Sequence, residues 1–181
     1  MERQVARVAL FAALIAALGL LPKLTIAGGV PITAQSLGIM LCGTILGWRA
    51  GGFAALLFVC LVLAGLPLLA GGRGGVGLLV SPSAGFLVGF PFAALATGIV
   101  VERLRLRTVF VRATLASLIG GILVLYGFGI PGMAWALDLS IADALPLALP
   151  FLPGDVIKAV VCGFVTHGLH AARPSALDWS R

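Results

Sequence analysis

The sequence predicts an all-α integral membrane protein with six transmembrane helices and with both termini in the cytoplasm. Of its 181 residues, 61% are hydrophobic and 10% are charged, and the mean hydropathy is +1.18. Soluble domains are about half apolar and about a quarter charged, so a soluble fold is excluded. The apolar runs are also continuous, whereas a membrane β-barrel alternates apolar and polar residues in segments of about ten. The third observation is an uneven distribution of cations between the ends of these runs.

Apolar runs of roughly 17–25 residues are long enough to cross a bilayer as helices. The first run follows Arg3 and Arg7 as a secretory signal does, but it is longer than a typical signal core, so we interpret it as an uncleaved helix. A short interfacial helix is expected at 140–149, within the last connector. The chain 1–181 is predicted to be one membrane domain, with spans at about 5–21, 32–48, 53–70, 84–101, 113–129 and 153–172.

The orientation follows from the positions of Lys and Arg, because cytoplasmic loops carry an excess of both. Nine of the twelve cations fall on the side of the spans that also holds the two termini. We therefore predict that this side is cytoplasmic. The nine are Arg3, Arg7, Arg49, Arg103, Arg105, Arg107, Arg112, Arg173 and Arg181, and the three on the outer side are Lys23, Arg73 and Lys158.

Asp155 and Lys158 form an ionisable pair at the start of the last predicted span. Residues three apart share one helix face, and charges within membrane helices cost a few kcal/mol each and usually mark functional sites. The alternative is that Asp155 complements the helix dipole while Lys158 extends to the interface. Thr33, Gln35 and Arg73 also lie near outer ends of their segments. Together these residues predict a shallow outward-facing cavity for a small ligand of mixed polarity.

A glycine-rich loop at 70–77 carries Arg73 at its centre and contains a literal GxGxxG at 72–77. No strand precedes it and no βαβ unit surrounds it, so a dinucleotide site is not indicated. Glycines permit unusual backbone angles, which favours a lid that carries one cation. A structureless linker is the alternative. No GxxxxGK[ST] motif occurs, so the chain does not hydrolyse ATP through a P-loop.

Small residues recur every four positions in the first span, at Ala9, Ala13 and Ala17. Such a stripe lets another helix approach closely, either a helix of this protein or one of a membrane partner.

No metal or cofactor is predicted. The three cysteines lack CxxC spacing, and His167 and His170 have no carboxylate or cysteine neighbour. The arginines lie in short connections rather than on a soluble basic face, so nucleic acid is not an expected partner. Membrane lipid is an expected partner, because the predicted spans cross a bilayer.

Four motifs resemble the BioY family, the biotin-specific substrate-binding (S) components of energy-coupling-factor (ECF) transporters. They are GGVPITAQ at 28–35, GGRGG at 71–75, PSAGFLVGFP at 82–91 and LPGDVIK at 152–158. The resemblance implies a non-enzymatic, multi-pass protein of the bacterial inner membrane with six helices and an outward-facing biotin pocket. It also implies two kinds of partner, a coupling transmembrane protein and ABC-type ATPases, with docking through the alanine stripe. Relatives often carry Tyr where this chain has Phe86, which leaves an aromatic wall without the hydroxyl.

The chemistry of biotin suits the same side chains. Asp155 can accept hydrogen bonds from the ureido N–H groups, Lys158 or Arg73 can bind the carboxylate, and Gln35 can add a polar contact. The polar set also suits other small carboxylate vitamins, so their S components or carriers remain an alternative. An intramembrane enzyme is a second one, although Ser81 and Ser83 lie on the opposite side from the histidines. A self-sufficient carrier or channel is a third.

Overall fold

A computed structural model describes residues 2–22, 24–25, 31–177 and 179. Lys23 and Arg181, which entered the charge analysis, lie outside the described residues, as does the start of the first motif at 28–30.

The described chain is helical apart from one pair of two-residue strands, so the predicted all-α class is confirmed. The strands β1 (Leu24–Thr25) and β2 (Pro31–Ile32) pair antiparallel. A π-helical turn at Ile119–Val124 joins α4 to α5, and 3₁₀ turns lie at Val76–Val80, Leu149–Phe151 and Pro174–Ala176. The helices are α1 (Glu2–Leu18), α2 (Gln35–Leu63), α3 (Ala84–Arg103), α4 (Val109–Leu118), α5 (Leu125–Leu137), α6 (Ile141–Ala148) and α7 (Leu152–Ala172).

Four helical segments of the described chain are long and apolar enough to cross a membrane. They are Gln35–Leu63, Ala84–Arg103, Val109–Leu137 and Ile141–Ala172. Each of the last two contains more than one helix. The segment 109–137 consists of α4, the π turn and α5 and is longer than the span predicted at 113–129, and the segment 141–172 contains α6 and α7. A helix, α6, lies where the sequence predicts an interfacial helix at 140–149, and its backbone N–H at Asp143 donates to the Ser140 hydroxyl at 3.2 Å; its place at the interface stays a prediction.

Helix α2 contains a reversal at Gly47, where the sequence predicts a six-residue turn at 47–52 between two spans. Gly47 has φ +75° and ψ −177°, a backbone conformation that is nearly exclusive to glycine. Gly51 packs directly on the backbone of Cys42, so the segments 35–46 and 48–63 lie side by side. The second segment ends at Leu63, before the predicted end at residue 70, because Gly65 (φ +103°) turns the chain out of the helix.

Long-range hydrogen bonds connect the arginine-rich parts of the chain at one end of the bundle. The Arg7 guanidinium donates to the carbonyl of Ala176 at 2.6 Å, so the start of α1 lies beside the C-terminal segment. The Trp48 amide donates to Glu102 Oε1 at 3.0 Å, and Arg112 donates to the carbonyl of Glu102 at 3.1 Å. The reversal in α2, the end of α3 and the start of α4 therefore share that end, which we call the arginine end.

Candidate functional site

A cavity lies between the start of α2, α3, α5, the start of α7 and the loop that follows α2. Its empty space is about 620 Å³ when the part open to solvent is included. The structure places all six predicted binding residues on its wall: Thr33, Gln35, Arg73, Phe86, Asp155 and Lys158. The other wall residues are Ser36, Leu69, Ser83, Leu87, Phe90, Leu125 and Phe151.

Asp155 and Lys158 form an ion pair on the cavity wall, in the first two turns of α7. Lys158 Nζ lies 2.8 Å from Asp155 Oδ1, and the Asp155 residue is only 5% exposed. Ser36 of α2 completes a triangle, since its hydroxyl donates to Asp155 Oδ1 at 3.0 Å and accepts from Lys158 Nζ at 3.0 Å. Through Ser36 the pair therefore links α7 to α2. Neither of the alternative roles, Asp155 complementing the helix dipole and Lys158 extending to the interface, requires such a contact between helices.

Tyr126 provides a third donor to the same carboxylate from α5. Its hydroxyl donates to Asp155 Oδ2 at 2.8 Å. A carboxylate has about four lone-pair positions, and Ser36, Lys158 and Tyr126 use three of them, so one acceptor position remains for a ligand. Tyr126 is absent from the predicted site, although it is the single tyrosine of the chain and interrupts an apolar run.

Gln35 is committed to contacts within the protein. It is 1% exposed, and its amide nitrogen donates to the carbonyls of Ile15 at 3.3 Å and Leu68 at 3.1 Å. Its amide oxygen accepts from the backbone N–H of Ala70 at 3.3 Å. The predicted ligand contact through Gln35 stays a prediction; what the structure gives this amide is a link between α1, α2 and the glycine-rich loop.

Arg73 lines the same cavity from the glycine-rich loop. The loop is a defined turn, in which Leu69 and Arg73 exchange backbone hydrogen bonds of 3.0 and 3.2 Å, so a structureless linker does not describe it. The guanidinium donates to the Ala70 carbonyl at 3.3 Å and lies 3.5 Å from the Ser83 hydroxyl. No carboxylate of the described chain lies within ion-pair distance of it.

Phe86 forms an aromatic part of the cavity wall. Its ring meets Tyr126 edge-on with centroids 5.9 Å apart, and the ring of Phe151 lies 6.3 Å away. The Tyr126 ring therefore contacts Phe86 while its hydroxyl donates to Asp155. Thr33 also borders the cavity, and its hydroxyl accepts from the backbone N–H of Gln35 at 3.3 Å at the start of α2.

The alanine stripe of α1 faces away from the bundle. Ala9, Ala13 and Ala17 are exposed, whereas Ala12 and Ile15 on the opposite face are buried against α2. Internal packing, one of the two alternatives for the stripe, therefore does not account for these three residues.

Within the described residues, no group of three His, Cys, Asp or Glu side chains is arranged to hold a metal ion.

Comparison with known proteins identifies close relatives over nearly the full chain. The BioY family model matches residues 2–175. The biotin transporter BioY of Rhodobacter capsulatus is 47% identical, with 98% of each chain covered, and that of Rhizobium etli is 47% identical, with 95% of each covered. A crystal structure of the S-component for biotin from an ECF-type ABC transporter is similar with a TM-score of 0.87 and 29% identity, covering 94% of this chain and 92% of the other.

The ion pair should be energetically coupled, because removing one partner leaves the other charge buried and unpaired. We expect Asp155→Asn and Lys158→Met each to lower the free energy of unfolding by about 3 kcal/mol. The double variant should lose less than the sum of the two, since it removes both charges. Unfolding in mixed detergent micelles measures all four proteins, and strictly additive losses contradict a coupled pair.

Proposed function

The chain belongs to the BioY family, and we propose that it is the biotin-binding S component of an ECF-type ABC importer, which captures biotin at the outer face of the membrane. It is a multi-pass protein of the bacterial inner membrane and a transporter subunit rather than an enzyme. The observation that supports biotin as ligand is the cavity itself. Its lining includes an ion pair, aromatic rings and an arginine that has no carboxylate within ion-pair distance among the described residues.

The ion pair suits the ureido ring of biotin. The ring has two N–H donors and one carbonyl acceptor, and it is uncharged. Asp155 has an acceptor position left for a ureido N–H, while Lys158 has three donors, of which Asp155 and Ser36 take two. The third can donate to the ureido carbonyl. This arrangement recognises an uncharged donor–acceptor pair without leaving either buried charge unpaired.

Arg73 is the better candidate for the biotin carboxylate. Lys158 already has an ionic partner at 2.8 Å, so a ligand carboxylate there would compete with Asp155. Among the described residues, the partners of Arg73 are a backbone carbonyl at 3.3 Å and a hydroxyl at 3.5 Å, and a guanidinium can bind a carboxylate through two parallel hydrogen bonds. The apolar thioether ring then lies against Phe86 and its neighbours.

The proposed topology has six membrane-crossing segments, with both termini in the cytoplasm. Dividing α2 at Gly47, adding α1 and leaving α6 at the interface gives crossings at about 2–18, 35–46, 48–63, 84–103, 109–137 and 152–172. The arginine end of the bundle carries most of the described cations, and such an end is cytoplasmic by the positive-inside tendency. The cavity opens at the other end, so biotin enters from outside.

Transport itself requires partners in this proposal. This chain has no P-loop, so ABC-type ATPases hydrolyse ATP, and a coupling transmembrane protein transmits the resulting movement to this subunit. The exposed alanine stripe of α1 is the proposed docking face, because small side chains let a partner helix approach closely.

Loss of the ion pair should remove most biotin affinity. We expect Asp155→Ala and Lys158→Ala each to weaken binding by about ten-fold or more, because a buried charge is left uncompensated. Asp143→Ala is the matched control, since Asp143 is exposed in α6 and outside the cavity. Isothermal titration of the detergent-purified proteins measures this, with an unrelated vitamin as ligand control. Wild-type affinity in both cavity variants would remove this site assignment.

Biotin methyl ester distinguishes the proposed roles of Arg73 and Lys158, because it keeps the ureido ring but carries no carboxylate. Arg73→Gln should weaken biotin binding by about ten-fold and leave binding of the ester as in the wild type. The ester also reports whether the variant is folded. If Arg73→Gln binds biotin as tightly as the wild type, the carboxylate is bound elsewhere and Lys158 becomes the candidate.

If α1 is the docking face, variants of its alanine stripe should lose complex formation with the ECF partners but keep biotin binding. Ala9→Leu and Ala13→Leu should prevent co-purification with the ECF partners and abolish uptake of labelled biotin, because branched side chains hold the helices apart. Ala142→Leu, at an exposed alanine of α6, is the control. Normal uptake by both α1 variants shows that docking uses another face.

A further inference from the structure

A second, apolar groove lies on the outer surface of the bundle, between the 48–63 segment of α2 and α3. Its space is about 890 Å³ including the part open to its surroundings. Phe53, 63% exposed, and Phe92, 48% exposed, project along it. Gly52 leaves a gap between them, since a Cβ there would lie 3.5 Å from Leu95. A side chain would fit at this position, so the glycine keeps the groove deeper than packing requires.

The groove has the length of one membrane leaflet. It runs along α2 from Arg49 to Val59, a rise of about 15 Å at 1.5 Å per residue. Half of a hydrocarbon core is also about 15 Å thick. One extended acyl chain therefore matches the groove from the interface to the bilayer centre.

The end of the groove at the arginine end carries a cation. The Arg49 guanidinium lies 4.7 Å from the centre of the Trp48 ring, an arrangement that holds a cation and an aromatic ring at the membrane interface. No carboxylate of the described chain lies within ion-pair distance of Arg49. The nearby Glu102 carboxylate accepts from the Trp48 backbone N–H at 3.0 Å. Arg112 lies beside Glu102 and donates to its backbone carbonyl at 3.1 Å.

We propose that this groove binds one anionic phospholipid of the cytoplasmic leaflet, with its phosphate on Arg49 and one acyl chain between Phe53 and Phe92. Charge complementarity favours this occupant over an uncharged one, because the cytoplasmic leaflet is anionic and basic pockets between helices bind its headgroups. Assignment to that leaflet rests on the topology proposed above. The binding itself is tested in detergent, where orientation plays no part.

Native mass spectrometry of the full chain tests the groove, with phosphatidylglycerol and phosphatidylcholine added in equal amounts. The wild type should retain one phosphatidylglycerol in preference to phosphatidylcholine. Arg49→Gln should reduce that retention by about five-fold, and Gly52→Leu should reduce retention of both lipids by filling the groove. Arg173→Gln and Gly168→Leu are matched controls, since Arg173 follows α7 away from the groove and Gly168 faces open space. Biotin titration reports that each variant is folded.

Three results overturn the proposal. Equal retention of the two lipids by the wild type removes the role of Arg49. Unchanged phosphatidylglycerol retention in Gly52→Leu shows that the lipid binds outside the groove. A wild-type dimer that Gly52→Leu converts to a monomer without retained lipid makes the groove a contact between two copies of this chain.

Discussion

The buried ion pair between Asp155 and Lys158 is the constraint on which the binding end of this protein depends. Two charges under a membrane cavity are stable only if every charge is balanced and hydrogen-bonded. Ser36 from α2 and Tyr126 from α5 complete that balance, so the start of α7 is held to two other helices. Apolar rings line the rest of the cavity. Because the cost of burying the pair is offset by polar contacts, polar groups of a ligand are the ones expected to bind at this end of the cavity.

Two further features place that pair in a usable cavity. The reversal at Gly47 returns α2 along itself, so that its start, with Ser36, and the loop after its end both reach the same end of the bundle. Gln35 then ties this loop to α1 through backbone contacts at Ile15 and Leu68. The loop that carries Arg73 and helix α1, the proposed docking face, are thereby joined through one buried amide.

The sequence predicts local features of this protein well and tertiary ones poorly, for a physical reason. The i,i+3 spacing of Asp155 and Lys158 and the glycine-rich loop around Arg73 are visible within a few residues of sequence, and the structure places these residues on one cavity. Ser36 and Tyr126 are separated from Asp155 by 119 and 29 residues, and local patterns in a single sequence do not show which helices meet. The polarity of Gln35 and its place near the outer end of a segment do not distinguish a ligand contact from a structural one. The boundaries at 47–52 and 63–70 differ because glycine conformations, not hydropathy, decide where the chain turns.

A structure of this chain with biotin bound is the most direct test of the ion pair as the recognition element. The account predicts the ureido ring within hydrogen-bond distance of Asp155 and Lys158, the carboxylate against Arg73, and the thioether ring against Phe86. Biotin bound outside this cavity, or bound within it with the ureido ring away from the Asp155–Lys158 pair, would contradict it.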